Sequence, residues 1–486
     1  MSNHSNSTPL TTLTLHNTLS GRLEPFSPQD PHEVKIYCCG PTVYSFQHIG
    51  NFKTFLFEDL LIRTLRFFGY GVKHVMNITD VGHLTDDADS GEDKMLIAMR
   101  REGKTSAEIA AFYTKRFFAD WDALNLFRPS VVCKATEHIT EMISLIERLQ
   151  KAGYAYVAGG NVYFDVEKFT TYGALGRLDL EGMRAGARIT VDPHKRSPFD
   201  FALWFTRSKF ENQELTWDSP WGRGYPGWHI ECSAMGICHL GEQIDIHCGG
   251  IDHIPVHHTN EIAQSEAAIG HRWVSTWLHG EFMQINAEKM SKSIGNLICL
   301  SDLAERGISP LAFRYLCLMS HYRSQLNFTW EAVENAQAAY TKLCRTVLNL
   351  KAAAEEEKSG TTTPIDSSSS ELPPEFGEAL CSDLNTPKAM AVLMAVLKDN
   401  TRSATERLAV LSRADLVLGL RFDELKAPST SELPEQVKHL LDQRAAARAS
   451  KDWKGSDALR DELLILGYRV KDTPNGQEIE PITGAG

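Results

Sequence analysis

The chain has 486 residues, 42% of them hydrophobic and 23% charged, and a formal net charge of −12. That length suits about two to four domains with a substantial core, in the composition range of an ordinary globular protein. The acidic total argues against wholesale nucleic-acid coating, and leaves room for a local basic face such as "LDQRAAARASKDWKG". No apolar run reaches membrane-spanning length, and the polar opening "MSNHSNSTPLTTLTLHNTLSG" lacks the layout of a signal peptide. Ten cysteines, unevenly spaced and with no secretion signal, do not make a disulfide framework. The expectation is a cytoplasmic protein.

In chain order, "EVKIYCCG" from Glu33 predicts a strand that enters a glycine turn. "HIGNFKTFLFEDLLIRTLRFFGYG" then shows apolar residues at helical spacing with a stop at Gly69 and Gly71. "VKHVMNITD" predicts a second strand, so the segment is a βαβ unit of a parallel sheet. Residues from about 95 to 190, with the helical "HITEMISLIERLQKAGY" and short strands around "GGNVYFDV", break the alternation and read as an inserted module. The alternation resumes with "FALWF", the helix "WHIECSAMGICHLG", the strand "QIDIHCGG", the helix "NEIAQSEAAIG" and the strand "TWLHGEFMQI". The fold class is α/β, a Rossmann-like parallel-sheet domain over 1–310, followed by helical segments. A helical region is expected over 311–350 and a linker over 351–375, where "KAAAEEEKSGTTTPIDSSSSELPPE" is poor in bulky apolar residues. A second helical region over 376–486 ends in the strand-rich "YRVKDTPNGQEIEPI".

Several motifs carry chemistry. "HIGN", His48 to Asn51, lies where a strand passes into a helix. A histidine donor, a glycine (Gly50) that lets a ligand approach the backbone and a helix N-terminus together suit a phosphate or nucleotide. "EKMSKSIGN" sets Lys289 and Lys292 three apart on a Ser/Gly-rich loop, where two ammonium groups suit the charge that develops on departing pyrophosphate. In "VHHTNEIAQ", His257 and Glu261 are four apart and share a helix face. With Cys39 of "YCCGPTVY" and Cys232 of "GWHIECSAM" they make a set of thiols, imidazole and carboxylate suited to zinc. Cys38, Cys238 and Cys248 compete for such a metal, although strand alternation puts Cys38 and Cys39 on opposite faces.

"HIGN" early and "KMSKS" late resemble the two signatures of class I aminoacyl-tRNA synthetases. "CGPTVY", "GWHIECSAM" and "HHTNEIAQ" resemble the cysteinyl-tRNA synthetases among them, over roughly residues 10 to 350 with a weaker C-terminal match. The resemblance implies ligation of cysteine to tRNA-Cys through a cysteinyl-adenylate. It also implies one zinc ion per chain on Cys39, Cys232, His257 and Glu261, binding the substrate's thiol, and Mg²⁺ accompanying ATP. It places Thr79, Trp228, His229 and His247 around the amino acid, and His48, Gly50, Gly249, Gly250, Asp252 and Lys292 around the nucleotide. His48, Asn51, Lys289 and Lys292 are the catalytic positions it implies. Arg448, Trp453 and Asp457 match its anticodon-reading region, where an aromatic plane, a guanidinium and a carboxylate suit unpaired bases. A monomer is expected.

The sequence departs from that family at three places. Asn51 stands where a second histidine is common, Cys248 where a glycine is usual, and "VGHLTDDADSGEDKM" replaces a short acidic segment after "NITD". Cys248 raises the prospect of a reactive thiol beside the site. The alternatives are a cysteine:amino-sugar ligase of the mycothiol type, which needs no RNA-reading tail, a non-catalytic RNA-binding paralogue, and a structural zinc protein.

Overall fold

The computed structural model describes residues 12–82, 94–179, 192–207, 215–286, 288–289, 297–360, 371–426, 433–466, 468–473 and 476–481. Its centre is a five-stranded, wholly parallel sheet of β1 (Val34–Cys38), β2 (Val72–Ile78), β3 (Val131–Lys134), β4 (Ile244–Gly250) and β5 (Val274–Gly280). The spatial order is β3-β2-β1-β4-β5, the order of the doubly wound nucleotide-binding folds. The inner strands are apolar on both faces because helices cover both. On one face lies α1 (Ile49–Phe67), and on the other pack α2 (Ile139–Ala152), α3 (Trp228–Leu240) and α4 (Thr259–Ile269). Cys38 joins the α1-side core and Cys39, just past the end of β1, the opposite one.

The insertion differs from the sequence expectation at both ends. β3 lies within the expected span yet pairs with β2 in the central sheet. "FALWF" does not resume the alternation: Phe201–Phe205 pairs antiparallel with Asn161–Phe164 and Tyr225–Pro226 in a separate four-stranded sheet begun by Ala155–Ala158. All five of its residues are buried. An apolar run covered on both sides reads the same in either kind of sheet.

Beyond the sheet, Pro310–Leu318, Trp330–Gly360, Pro374–Cys381, Thr386–Lys398 and Ala404–Leu418 are helices packed into the α1-side core. The long helix runs to Gly360, through the first ten residues of the expected linker. "KAAAEEEK" is a strong helix-forming string, and tertiary contacts hold it. Lys351 Nζ donates to the carbonyls of Phe422, Asp423 and Leu425, while Glu357 accepts from the backbone N–H groups of Ala404 and Thr405. Residues 361–370 of that linker lie outside the described residues.

A small C-terminal unit has its own core of Leu433, Val437, Leu440, Leu441, Leu463, Val470 and Ile479. It consists of helices Glu435–Ala449 and Trp453–Ile465 and the hairpin Tyr468–Thr473 with Gly476–Pro481. Buried Arg444 pins the hairpin with paired bonds of 2.8 and 2.9 Å to Asp472. Among the described residues no helix is long and apolar enough to cross a membrane.

Candidate active site

Winding reverses between β1 and β4, so a crevice opens beyond their carboxyl ends. Cys39 follows β1, and Gly249 and Gly250 end β4. A cleft of about 190 Å³ there is lined by Cys39, Asn51, Thr79, Trp228, Cys232, Gly250, Asp252 and His257, with other residues. These come from six separate stretches of the sequence, which the fold brings to one cleft.

Three of the expected metal ligands, Cys39, His257 and Glu261, have ligand atoms within 4.8 Å of one another, and Cys232 stands beside Cys39. Cys39 Sγ lies 4.0 Å from Cys232 Sγ and 3.9 Å from Glu261 Oε1, and His257 Nε2 lies 2.9 Å from Glu261 Oε1. All four are buried. The sequence did not single out His258 as a ligand, yet its Nε2 is 3.3 Å from Cys39 Sγ and 3.9 Å from Glu261 Oε1. Cys39, His257, His258 and Glu261 have ligand atoms all within 4.8 Å of one another. In a regular helix two adjacent residues point about 100° apart. Here Ile254–His258 forms one π-helical turn leading into α4, and it buries both imidazoles; π-bulges of this kind often mark functional sites.

Charge in the cluster is strongly organised. Burial pushes Glu261 up, but His247 and His257 outweigh it and hold the carboxyl down at about 2. Burial pushes His257 down, and Glu261 and Cys232 lift it to about 10. A hydrogen bond from Cys39 holds the Cys232 thiol down at about 6 against burial. Buried thiols, imidazole and carboxylate within contact of one another fit a zinc ion by their donor chemistry, with the thiols and His257 giving up protons on binding.

Behind these groups stands a supporting layer. His247 Nε2 is 3.0 Å from Glu261 Oε2, and its ring stacks on Trp277. His229 Nδ1 is 3.0 Å from His257 Nδ1. Expected at the amino acid, both histidines are instead buried behind the donor set, where they orient His257 and Glu261. Trp228 stacks on His257 with ring centres 4.5 Å apart and forms part of the cleft wall. Thr79 Oγ1 donates to Glu231 Oε2 at 3.2 Å. The sequence reading passed over Glu231; burial, with Cys232 and Asp80, pushes its carboxyl well above the usual range.

At the "HIGN" turn, His48 caps α1. Its Nδ1 accepts from the Asn51 backbone N–H at 3.2 Å, and Asn51 Oδ1 accepts from the His48 N–H at 3.1 Å. This reciprocal cap accounts for asparagine at position 51. It leaves the amide NH₂ as the part of Asn51 able to donate into the cleft. Gly50 is half-buried in the first turn, and Asp252 is exposed beside the cleft. Gly249 is required by packing, because a Cβ there would stand 2.7 Å from the rings of both His253 and His258.

Lys289 belongs to a two-residue strand, Glu288–Lys289, that pairs with Met283–Ile285. Lys292 and most of the acidic segment after "NITD" lie outside the described residues. Directly after the lysine loop, the Ile298 carbonyl accepts from the Ile49 N–H at 2.8 Å, which ties the end of that loop to the "HIGN" turn. Cys248, the thiol the sequence suggests beside the site, pairs in register with Cys38 on the α1 face, fully buried, and burial pushes its thiol up.

In the C-terminal unit the Arg448 guanidinium lies 5.5 Å from the centre of the Trp453 ring and bonds Asp472 at 2.9 Å. Asp457 pairs with Arg460 at 3.1 Å. Trp453 is 57% exposed, so it is not a core residue of its helix.

Comparison with known proteins agrees with this geometry. Residues 25–338 match the family described as tRNA synthetases class I (C) catalytic domain, and residues 430–479 match the cysteinyl-tRNA ligase anticodon binding domain. A cysteine--tRNA ligase of Treponema denticola is 50% identical, the match covering 95% of this chain and 98% of that protein. Cysteine--tRNA ligase 1 of Burkholderia lata is 47% identical over 96% of each. In fold, the chain resembles Mycobacterium tuberculosis methionyl-tRNA synthetase bound by methionyl-adenylate, with a TM-score of 0.57 at 14% identity, covering 88% of this chain and 96% of that one. A parallel sheet with its switch-point cleft, followed by a helical tail, is the architecture that these matches span, and the chain belongs to the cysteinyl-tRNA ligase family of class I tRNA synthetases.

Proposed function

We propose that this protein activates cysteine with ATP and transfers it to the 3′-terminal ribose of tRNA-Cys, selecting the thiol with a zinc ion held by Cys39, Cys232, His257 and Glu261. The observation that carries the reading is the clustering of Cys39, Cys232 and His257, with Glu261 in contact with two of them, at a cleft also lined by Asn51, Thr79 and Asp252. Zinc, when bound, supplies a ligand position for a thiolate. A thiol ionises near pH 8.5 and a hydroxyl far higher, so serine, which packing alone cannot reject strongly, is refused.

The chain's own residues position and stabilise. Trp228 walls the amino-acid end, and Thr79, fixed by Asn77 and Glu231, presents a hydroxyl to it. ATP enters as its Mg²⁺ complex. With Nδ1 used in the cap, a phosphate contact falls to His48 Nε2, beside the Asn51 amide and the backbone at Gly50. Gly249, Gly250 and Asp252 border the ribose and base. The cysteine carboxylate attacks the α-phosphorus, and pyrophosphate leaves with its charge met by Lys289 and Lys292. The tRNA ribose oxygen then attacks the adenylate carbonyl and AMP departs. No covalent enzyme intermediate is needed; positioning and preorganised charge supply the rate.

An exposed Trp453 with Arg448 beside it supports stacking on an anticodon base, with Asp457 as an acceptor for base N–H groups. That unit, matched to an anticodon-binding family, disfavours the amino-sugar ligase, which has no RNA to read. The reading places the reaction in the cytoplasm, in a single copy of the chain.

The test is ATP-dependent attachment of labelled cysteine to a tRNA-Cys transcript, beside serine and a non-cognate tRNA. Charging by cysteine alone on that tRNA alone is expected. Adenylate formation without charging would give the acceptor to the amino-sugar reading.

A further inference from the structure

Away from the catalytic cleft, His138, Cys238 and His239 bring three ligand atoms within 4.8 Å of one another. His138 stands just before the first residue of α2, and Cys238 and His239 lie in the last turn of α3. The two imidazoles meet nitrogen to nitrogen, Nε2 to Nε2, at 2.9 Å. His138 Nδ1 lies 2.7 Å from the Lys134 carbonyl, so it must donate there. Its Nε2 is therefore a lone pair aimed at His239. A ring nitrogen anchored to a backbone carbonyl, with the other turned on a shared point, is how metal-binding histidines are held.

We propose that His138, Cys238 and His239 form a second, solvent-accessible site for a borderline-soft divalent cation, zinc foremost, clamping the start of α2 to the end of α3. Zinc–nitrogen bonds of about 2.0–2.1 Å in a tetrahedron put two nitrogens about 3.3 Å apart, so the rings need to part by only a few tenths of an ångström. The end of α3 favours a cation. The α2 N-terminus opposes one, and Glu141 in its first turn, close enough to act on both Cys238 and His239, offsets this. Solvent or the Glu141 carboxylate completes the coordination. The Cys238 thiol loses its proton to solvent on binding, and no electron transfer is involved. Cys238 is the exposed cysteine of the ten; the rest are buried or half-buried.

The test uses the full chain with its resident metal. Maleimide labelling of the Cys238 peptide is followed by mass spectrometry, with a chelator and with added micromolar Zn²⁺. Zinc is expected to slow labelling about ten-fold or more, because a metal-bound thiolate is withdrawn as a nucleophile. His138→Gln and His239→Gln should each remove that protection without changing labelling in chelator. As a second readout, Co²⁺ added to the same protein should give thiolate-to-cobalt absorption that Cys238→Ser lacks. Equal labelling with and without zinc, or protection that survives both histidine substitutions, would overturn the proposal. Neither readout requires aminoacylation, so failure of the catalytic reading leaves this one separately testable.

Discussion

Asp59 and Arg314, 255 positions apart, meet at 2.6 Å with about 1% of either side chain exposed. Asp59 also holds Arg63 at 2.7 Å and accepts from the Phe127 N–H at 2.7 Å. Arg314 directs its remaining donors to the carbonyls of Leu124, Asn125 and Leu418. One buried carboxylate thus joins α1 of the sheet domain to the helices that follow it. Burial pushes Asp59 up, but Arg314 and Arg63 outweigh it and hold the carboxyl below its usual 3.8.

Removing that carboxylate leaves two buried guanidinium groups without a counter-charge. Asp59→Ala is expected to cost about 3–5 kcal/mol, read as a lower thermal midpoint, with the cleft residues themselves untouched. The folded-state pKa lies below the unfolded one, so this stabilisation is complete above about pH 4 and is lost as the pH falls through the folded value. A midpoint for Asp59→Ala equal to that of the parent would refute the role.

His74, in β2, is buried and neither ring nitrogen has a hydrogen-bond partner among the described residues. Burial drives its pKa down to about 3 from 6.5. Between those values the unfolded chain binds a proton that the folded chain refuses. Stability is therefore full above pH 6.5 and falls as the pH drops toward 3. At pH 5 the loss is about 2 kcal/mol. His74→Leu should remove it, so that the difference in midpoint between pH 7.5 and 5 shrinks in the variant. An unchanged difference would mean that the ring is protonated when folded.

Much of the site is legible in the sequence because its members sit at ends of elements with strong periodicity. The run "VKIYC", the helical spacing after "HIGN" and the strand "IDIHCGG" fix where Cys39, His48 and Gly249 must lie relative to a parallel sheet. His258 is not legible, since only the π-helical turn over Ile254–His258 brings it beside Cys39, and no spacing rule announces such a turn. The supporting positions of His229 and His247 are hidden for another reason: a histidine's role depends on what its second nitrogen meets. Lys351 and Glu357 anchor the long helix through partners some fifty to seventy residues away, which local composition cannot report.

Two imidazoles compete for one metal position, and their Nε2 contacts separate them. Each Nδ1 is held by another histidine, that of His257 by His229 at 3.0 Å and that of His258 by His279 at 2.7 Å, but His257 Nε2 bonds Glu261 Oε1 at 2.9 Å whereas His258 Nε2 stands 3.9 Å from it. His257→Gln and Cys232→Ser are expected to lower zinc content and cysteine-dependent ATP–pyrophosphate exchange by about a hundred-fold or more. His258→Gln, which removes the imidazole farther from Glu261, should lower them nearer ten-fold. The reverse ranking would give the ligand position to His258, and full activation in zinc-replete Cys232→Ser would remove that thiol from the set.

Trp453 offers the sharpest separation between chemistry and recognition. Its ring is 57% exposed, and the core of the C-terminal unit, built from Val437, Leu440, Leu463 and their neighbours, does not include it. Trp453→Ala should therefore leave the thermal midpoint nearly unchanged. Loss of one stacked base is worth about 1–3 kcal/mol, a rise of roughly five- to 150-fold in the KM for tRNA-Cys. Pyrophosphate exchange, which needs no tRNA, should stay at the parent rate. Arg448→Ala should move in the same direction, because its guanidinium lies against the ring and also holds Asp472 at 2.9 Å. Equal losses in exchange and charging would show that Trp453 acts through folding rather than through the anticodon.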